Sequence, residues 1–193
     1  MRRRFTYSAA VLAVLSLAAS PVAAQTTAAD SGLAPGSVAV LDAALYTAGA
    51  NVREASDSDR AALGTAVLRG RLAELLGPAL ADSAAVARLA SGPKVHALAG
   101  DHPCNVIVAC ARSVARDLGA DWAVMTKLSK TSNLIWLQTG QLINARTGEI
   151  VLDDSTELKG DPEPMIRAGF RIFAERVARA VKQRAATERT GRS

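Results

Sequence analysis

Three runs of alternating apolar and polar residues, Trp122 to Ser129, Leu134 to Asn144 and Ile150 to Leu158, follow one another with only four or five residues between them. A period of two is that of a strand with one face turned to a core. Links as short as Lys130 to Asn133 and Ala145 to Gly148 leave room only for hairpins, so this stretch is committed to an antiparallel meander. A meander with one apolar face needs a second layer, and the next segment supplies it. Asp161 is a helix cap, Pro162 stands at the first helical position, and Ile166, Phe170, Phe173, Val177 and Val181 fall on one stripe of a helix predicted from Pro162 to about Ala185.

Upstream, the β-branched run Ser37 to Leu45 reads as a first buried strand. Asn51 to Ser58 is a polar loop in which Ser56, Asp57, Ser58 and Asp59 are candidate caps for a helix reaching about Leu76. Leu68, Leu72 and Leu75 form its inner face, and Gly77-Pro78 ends it. Pro78 to Ala81 is taken as a brief strand, and Asp82 or Ser83 caps a short helix from Ala84 to Ala90. A loop from Ser91 to about Asn105 holds both histidines, and a helix from about Val106 to Leu118 closes on Gly119. The expected order is β-α-(β)-α-β-β-β-α with no internal repeat. That is an α/β (α+β) domain with a mixed, largely antiparallel sheet and helices mainly on one face, spanning residues 37–185.

The first 24 residues stand apart. Arg2, Arg3 and Arg4 precede an apolar run from Ala9 to Ala19 that is too short to span a membrane, and Val22-Ala23-Ala24 ends in small residues. This is the pattern of a cleaved export signal, with the cut expected before Gln25. No cysteine follows the apolar run, so lipid anchoring is not expected and the compartment is the periplasm. Residues 25–36 are small and polar, a flexible lead-in, and 186–193 a disordered basic tail. Without the leader the formal charge falls from +5 to +2, and residues 167–193 hold a local excess of +6. With no aromatic interleaving in that basic stretch, nucleic acid is not an expected partner.

Cys104 and Cys110 are the only cysteines, and in an oxidising compartment a pair of this kind is expected to be bridged. Six positions is too far along one unbroken helix for a disulfide, so Cys104 has to lie in the loop before the helix and fold back. The alternative is a metal or redox site, because His96, His102, Cys104 and Cys110 gather the chain's histidine and cysteine into fifteen positions. Their spacing matches no structural zinc pattern. There is no Gly-x-Ser-x-Gly turn, no phosphate loop and no His-Glu-x-x-His helix, so neither a catalytic role nor a cofactor is expected. Asp153 and Asp154 are adjacent on a strand and point to opposite faces, which prevents a simple acid-base pair.

Lys127, Thr139, Gln141, Asp153, Ser155 and Glu157 share one parity of the strand runs, and a partly polar sheet face follows, suited to docking another protein. Lys127, Lys130, Asn133, Trp136 and Gln141 are the candidate contact residues. Gly119-Ala-Asp121, Lys130-Thr-Ser-Asn-Leu-Ile135 and Thr147-Gly-Glu149 resemble secreted bacterial families of unknown function numbered 3280 and 2380. The resemblance spans roughly residues 37 to 184. More distantly, the Val-Leu-Asp strand and the same two glycine-bearing motifs are similar to the α/β domain of the periplasmic TolB family and the curli secretion lipoprotein family. That likeness implies binding to other envelope proteins, although this chain has neither the propeller of the TolB family nor the lipidation cysteine of the curli lipoprotein family. The expectation is a non-enzymatic accessory protein acting through envelope partners, of unspecified oligomeric state.

Overall fold

The computed structural model describes residues 32–47, 54–100 and 102–190. The expected leader, its cleavage point, most of the lead-in and the last three residues lie outside these. Among the described residues five strands form one sheet: β1 (Val38–Val40), β2 (Ala44–Thr47), β3 (Trp122–Lys130), β4 (Ile135–Asn144) and β5 (Ile150–Lys159). The order is β1-β3-β4-β5, and β2 pairs with β3 farther along the edge that β1 occupies. Strands β1 and β2 run parallel to β3, while β3, β4 and β5 are antiparallel neighbours. The meander predicted from the alternating runs is present, with its links where the polar residues stand. In the second link, Asn144 Oδ1 accepts from the amides of Arg146 and Thr147, both at 3.0 Å, and Gly148 takes φ 81°.

The single strand expected from Ser37 to Leu45 is two strands, because the chain leaves the ladder between them. Side chains satisfy the exposed backbone there, as buried peptide groups require. Arg69 donates to the Val40 carbonyl at 2.9 Å, Asn105 to the Asp42 carbonyl at 2.5 Å, and the Ala43 amide to Thr65 Oγ1 at 2.9 Å. The brief strand expected at Pro78 to Ala81 is instead a 3-10 turn, Gly77–Ala79, and only Leu80 bridges to Val38. Pro78 has no amide hydrogen to give a ladder. The lead-in is partly docked, with the Gly36 amide donating to the Pro78 carbonyl at 2.9 Å.

Among the described residues five helices flank the sheet: α1 (Asp57–Leu76), α2 (Ser83–Ala90), α3 (Pro93–Ala99), α4 (Val108–Asp117) and α5 (Pro162–Thr190). Asp82 caps α2, its carboxylate accepting from the Ala85 amide at 2.8 Å. Helix α3 lies within the expected 91–105 loop, between Pro93 at its first position and Gly100 just past its end; seven residues are too few to show a helical period. Helix α5 continues to Thr190, so residues 186–190 of the expected disordered tail are helical.

The two long helices lie on one face, as expected. Leu68, Leu72 and Leu76 of α1 meet Ile166, Phe170, Phe173, Val177 and Val181 of α5 over Val124, Leu128, Trp136, Leu142 and Leu158. Gly64 allows the close crossing, since a Cβ there would stand 2.6 Å from the Phe170 ring. The basic character of α5 is partly answered by acids outside it, Arg176 binding Asp154 at 2.6 Å and Arg184 binding Glu149 at 2.9 Å, while its own Glu175 pairs with Arg71 of α1 at 2.8 Å. On the other face the three short helices add a partial layer that the sequence did not foretell. Val86, Val95, Cys110, Ala111 and Val114 pack on Ala39, Leu41, Ala123, Met125 and Ile143. That cover stops at Met125 and leaves the rest of the second face open.

Candidate functional site

The open face is read off the strand register in three rows. Met125, Gln141 and Asp153 form one; Ala44, Lys127, Thr139 and Ser155 form the next; Tyr46, Ser129, Leu137 and Glu157 form the third. The polar parity seen in the sequence is therefore the uncovered side. Tyr46 is 58% exposed and Lys127 sits 5.8 Å from its ring centroid, a cation over an aromatic face at the sheet edge. Gln141 donates to Asp153 at 3.2 Å. A cleft of about 140 Å³ opens where this face meets the end of the helical cover, walled by Asn105 and Val106 and floored by Met125, Lys127, Thr139 and Gln141.

The turn that walls the cleft is held in three ways. Cys104 and Cys110 are bridged, with Cα atoms 5.2 Å apart, and Cys104 lies in a 3-10 turn, Cys104–Val106, ahead of α4 as the spacing demanded. Asn105 ties the turn to Asp42. Arg112 of α4 donates to the Ala145 carbonyl at 2.8 Å and to the Arg146 carbonyl, anchoring the helix on the second hairpin link. Opening a seven-residue ring should cost about 2 kcal/mol. Reduction of the folded protein is thus expected to lower its urea midpoint without unfolding it at room temperature, and an unchanged midpoint would show that the bridge adds no stability by restricting the unfolded chain.

The site residues inferred from sequence divide three ways. Lys127 and Gln141 lie on the open face, and Asn133 is exposed in the first hairpin link. Lys130 and Trp136 do not belong to a contact surface: they have the opposite parity, face the long helices and are 1% and 0% exposed. His96 on α3 and His102 beyond it are exposed, and the sulfurs of Cys104 and Cys110 bind each other, so the four do not form a ligand set. Among the described residues no cluster of three or more His, Cys, Asp or Glu side chains is placed to hold a metal, and no helix is long and apolar enough to cross a membrane. Asn105 and Tyr46 were missed; each is a single polar or aromatic residue without a periodic signal.

Lys130 has a different task. Its ammonium lies 3.1 Å and 3.2 Å from the two carboxylate oxygens of Asp57, which is fully buried at the start of α1, and 5.4 Å from the Trp136 ring. Arg60 adds a bond to Asp57 at 2.9 Å and stacks 5.5 Å from the same ring. Asp57, expected as a cap, instead turns inward, accepting from the Glu54 amide at 2.8 Å. Burial pushes this carboxyl up, but the Glu54 amide, Lys130 and Arg60 together outweigh burial and hold it below its ordinary value. A carboxyl depressed in the native state contributes stability above its unfolded value and loses it as pH falls through the native one. Stability should therefore fall below about pH 4. Urea midpoints taken across that range should show a flatter acid limb for Asp57→Asn; an equal limb would exclude this carboxyl as the source.

Fold and face together define a small mixed α/β domain with one sheet face half covered by short helices and half left open. The chain belongs to the family DUF3280, described as a protein of unknown function (DUF2380), whose model matches residues 36–177. Both family numbers suggested by the Lys130 to Ile135 stretch are thereby accounted for. No curated protein matches the chain significantly. Among solved structures it is similar to the LpoB C-terminal domain from Salmonella enterica, at 20% identity over 67% of this chain and 87% of that one, TM-score 0.42. It is also similar to Escherichia coli LpoB, at 18% identity over 81% of each chain, TM-score 0.44. A third likeness is to the PelC dodecamer from Paraburkholderia phytofirmans, at 14% identity over 77% and 88%, TM-score 0.42.

Proposed function

We propose that this chain is an exported, non-enzymatic accessory protein of the bacterial envelope that acts by protein contact. The surface it uses is the open sheet face together with the disulfide-pinned turn. The observation that carries the reading is the arrangement at Asn105, Lys127, Thr139 and Gln141. The helical cover ends there, a rigid turn forms one wall, and the uncovered rows are mixed in character, with aromatic, aliphatic and charged groups side by side. Protein contact surfaces mix apolar and polar groups in this way. The envelope location rests on the leader and on the bridged cysteines, which belong together in an oxidising space. The exported form should begin at Gln25 and carry no lipid.

The test is capture from the cell of origin with a photoreactive residue in place of Thr139. Crosslinking is expected to trap a defined envelope protein from position 139 and not from an exposed position on the helix face such as Ala66. Equal labelling from both positions, or none from either, would refute the assignment of this face. Retention of Met1 on the mature protein would refute the location.

A further inference from the structure

We infer that the partner of the open face includes a second copy of this chain, bound sheet to sheet about a twofold axis running along β4. The inference rests on the reading of that face as a contact surface, and the reason for it is the way charge is laid out across the rows. Lys127 stands on β3, next to the exposed Tyr46, and forms no ion pair with an acid among the described residues. Asp153 and Glu157 stand two strands away on β5, both exposed. Glu157 shares its charge with Lys159 at 3.3 Å, whereas Asp153 is bonded only by the neutral amide of Gln141. Between these edges β4 offers Leu137, Thr139 and Gln141, which are uncharged.

A face with a cation at one edge and an acid at the other is complementary to itself when turned over. A rotation of 180° about the β4 direction sets β3 of one copy above β5 of the other, in both halves at once, which is what an isologous contact requires. Lys127 then lies over the partner's Ser155 and within reach of the partner's Asp153 one row away. Leu137 and Thr139 meet their own counterparts on the axis. Sheets packed in this way sit about 10 Å apart, and an axis along β4 keeps the central strands of the two copies aligned. A rotation about an axis normal to the face would place the copies side by side and satisfy neither charge. The face is four strands wide and about five residues long, roughly 20 by 17 Å. That is small for a permanent complex, so association should depend on concentration and weaken as salt is raised.

Sedimentation equilibrium of the purified chain and of two charge reversals tests this. The wild type should self-associate below about 1 mM, and Lys127→Glu and Asp153→Lys should each weaken association at least about tenfold by opposing like charges. Mixed in equal amounts, the two variants should associate with each other, because both cross-contacts are then restored. That rescue also shows that each variant is folded. A wild type that stays monomeric, or a mixture no better associated than either variant alone, would overturn the inference. If the monomer still crosslinks from position 139 to an envelope protein, the proposed function stands without the dimer; if it crosslinks to nothing, both fall.

Discussion

Replacing Lys130 with methionine is expected to remove about 3 kcal/mol of stability, although the side chain is buried on the side of the sheet away from the open face. The substitution keeps the length of the aliphatic stem and deletes the charge, leaving the Asp57 carboxylate buried with only Arg60 and the Glu54 amide beside it. Breaking one half of a buried pair is expensive because the remaining ion keeps its desolvation penalty and loses its compensation. The whole side chain is buried, so lysine to alanine would mix cavity loss into the result. Adding Asp57→Leu to Lys130→Met should recover a large part of the loss, since two apolar groups of similar volume carry no unpaired charge. Urea unfolding of the two single variants and the double variant closes the cycle. Additive losses would mean that the two groups stabilise the protein independently and that the ion pair is not the link between α1 and the end of β3.

Gly140→Val should be nearly as damaging, by about 3 kcal/mol, for a steric reason. Gly140 lies mid-strand in β4 with its bare face toward α5, and the Phe173 ring occupies the space where a Cβ would stand. Phe173 is 1% exposed and close-packed, so the ring cannot swing aside. Phe173→Leu opens that space. The double variant should therefore be more stable than Gly140→Val alone, even though Phe173→Leu by itself destabilises. Gly70, on the outer face of α1, is the contrast: nothing lies within 4 Å of its would-be Cβ, and Gly70→Ala should stabilise by about 0.5 to 1 kcal/mol through helix propensity. Thermal midpoints of the three would separate crowding from propensity. A harmless Gly140→Val would mean that α5 does not sit against β4 as described.

The meander and its closing helix were legible because each repeats one period over ten residues or more. The i, i+4, i+7 stripe from Ile166 to Val181 is buried throughout. The disulfide was legible from the pairing and spacing of Cys104 and Cys110, and so was the open face, from the shared parity of Lys127, Gln141 and Asp153. The short elements were not. Helix α3 and the break between β1 and β2 are too short to repeat a period visibly, and Arg69, Thr65 and Asn105, which make the break tolerable, come from distant parts of the chain. Lys130 was misassigned for a related reason. A lysine at a strand end reads as solvent-facing unless its counter-ion is known, and Asp57 lies 73 positions earlier.

Hydrophobic period and turn chemistry are local quantities, so the amino-acid order alone determined the number and direction of the last three strands, the inner stripe of α5 and the position of the bridge. Which side of the sheet each helix covers, where that cover stops, and which lysine is sealed away while another reaches solvent depend on contacts between segments far apart in the chain. Those were settled only when α1 and α5 packed together over one face. Their packing drew Asp57 onto Lys130 and left Lys127 free on the other.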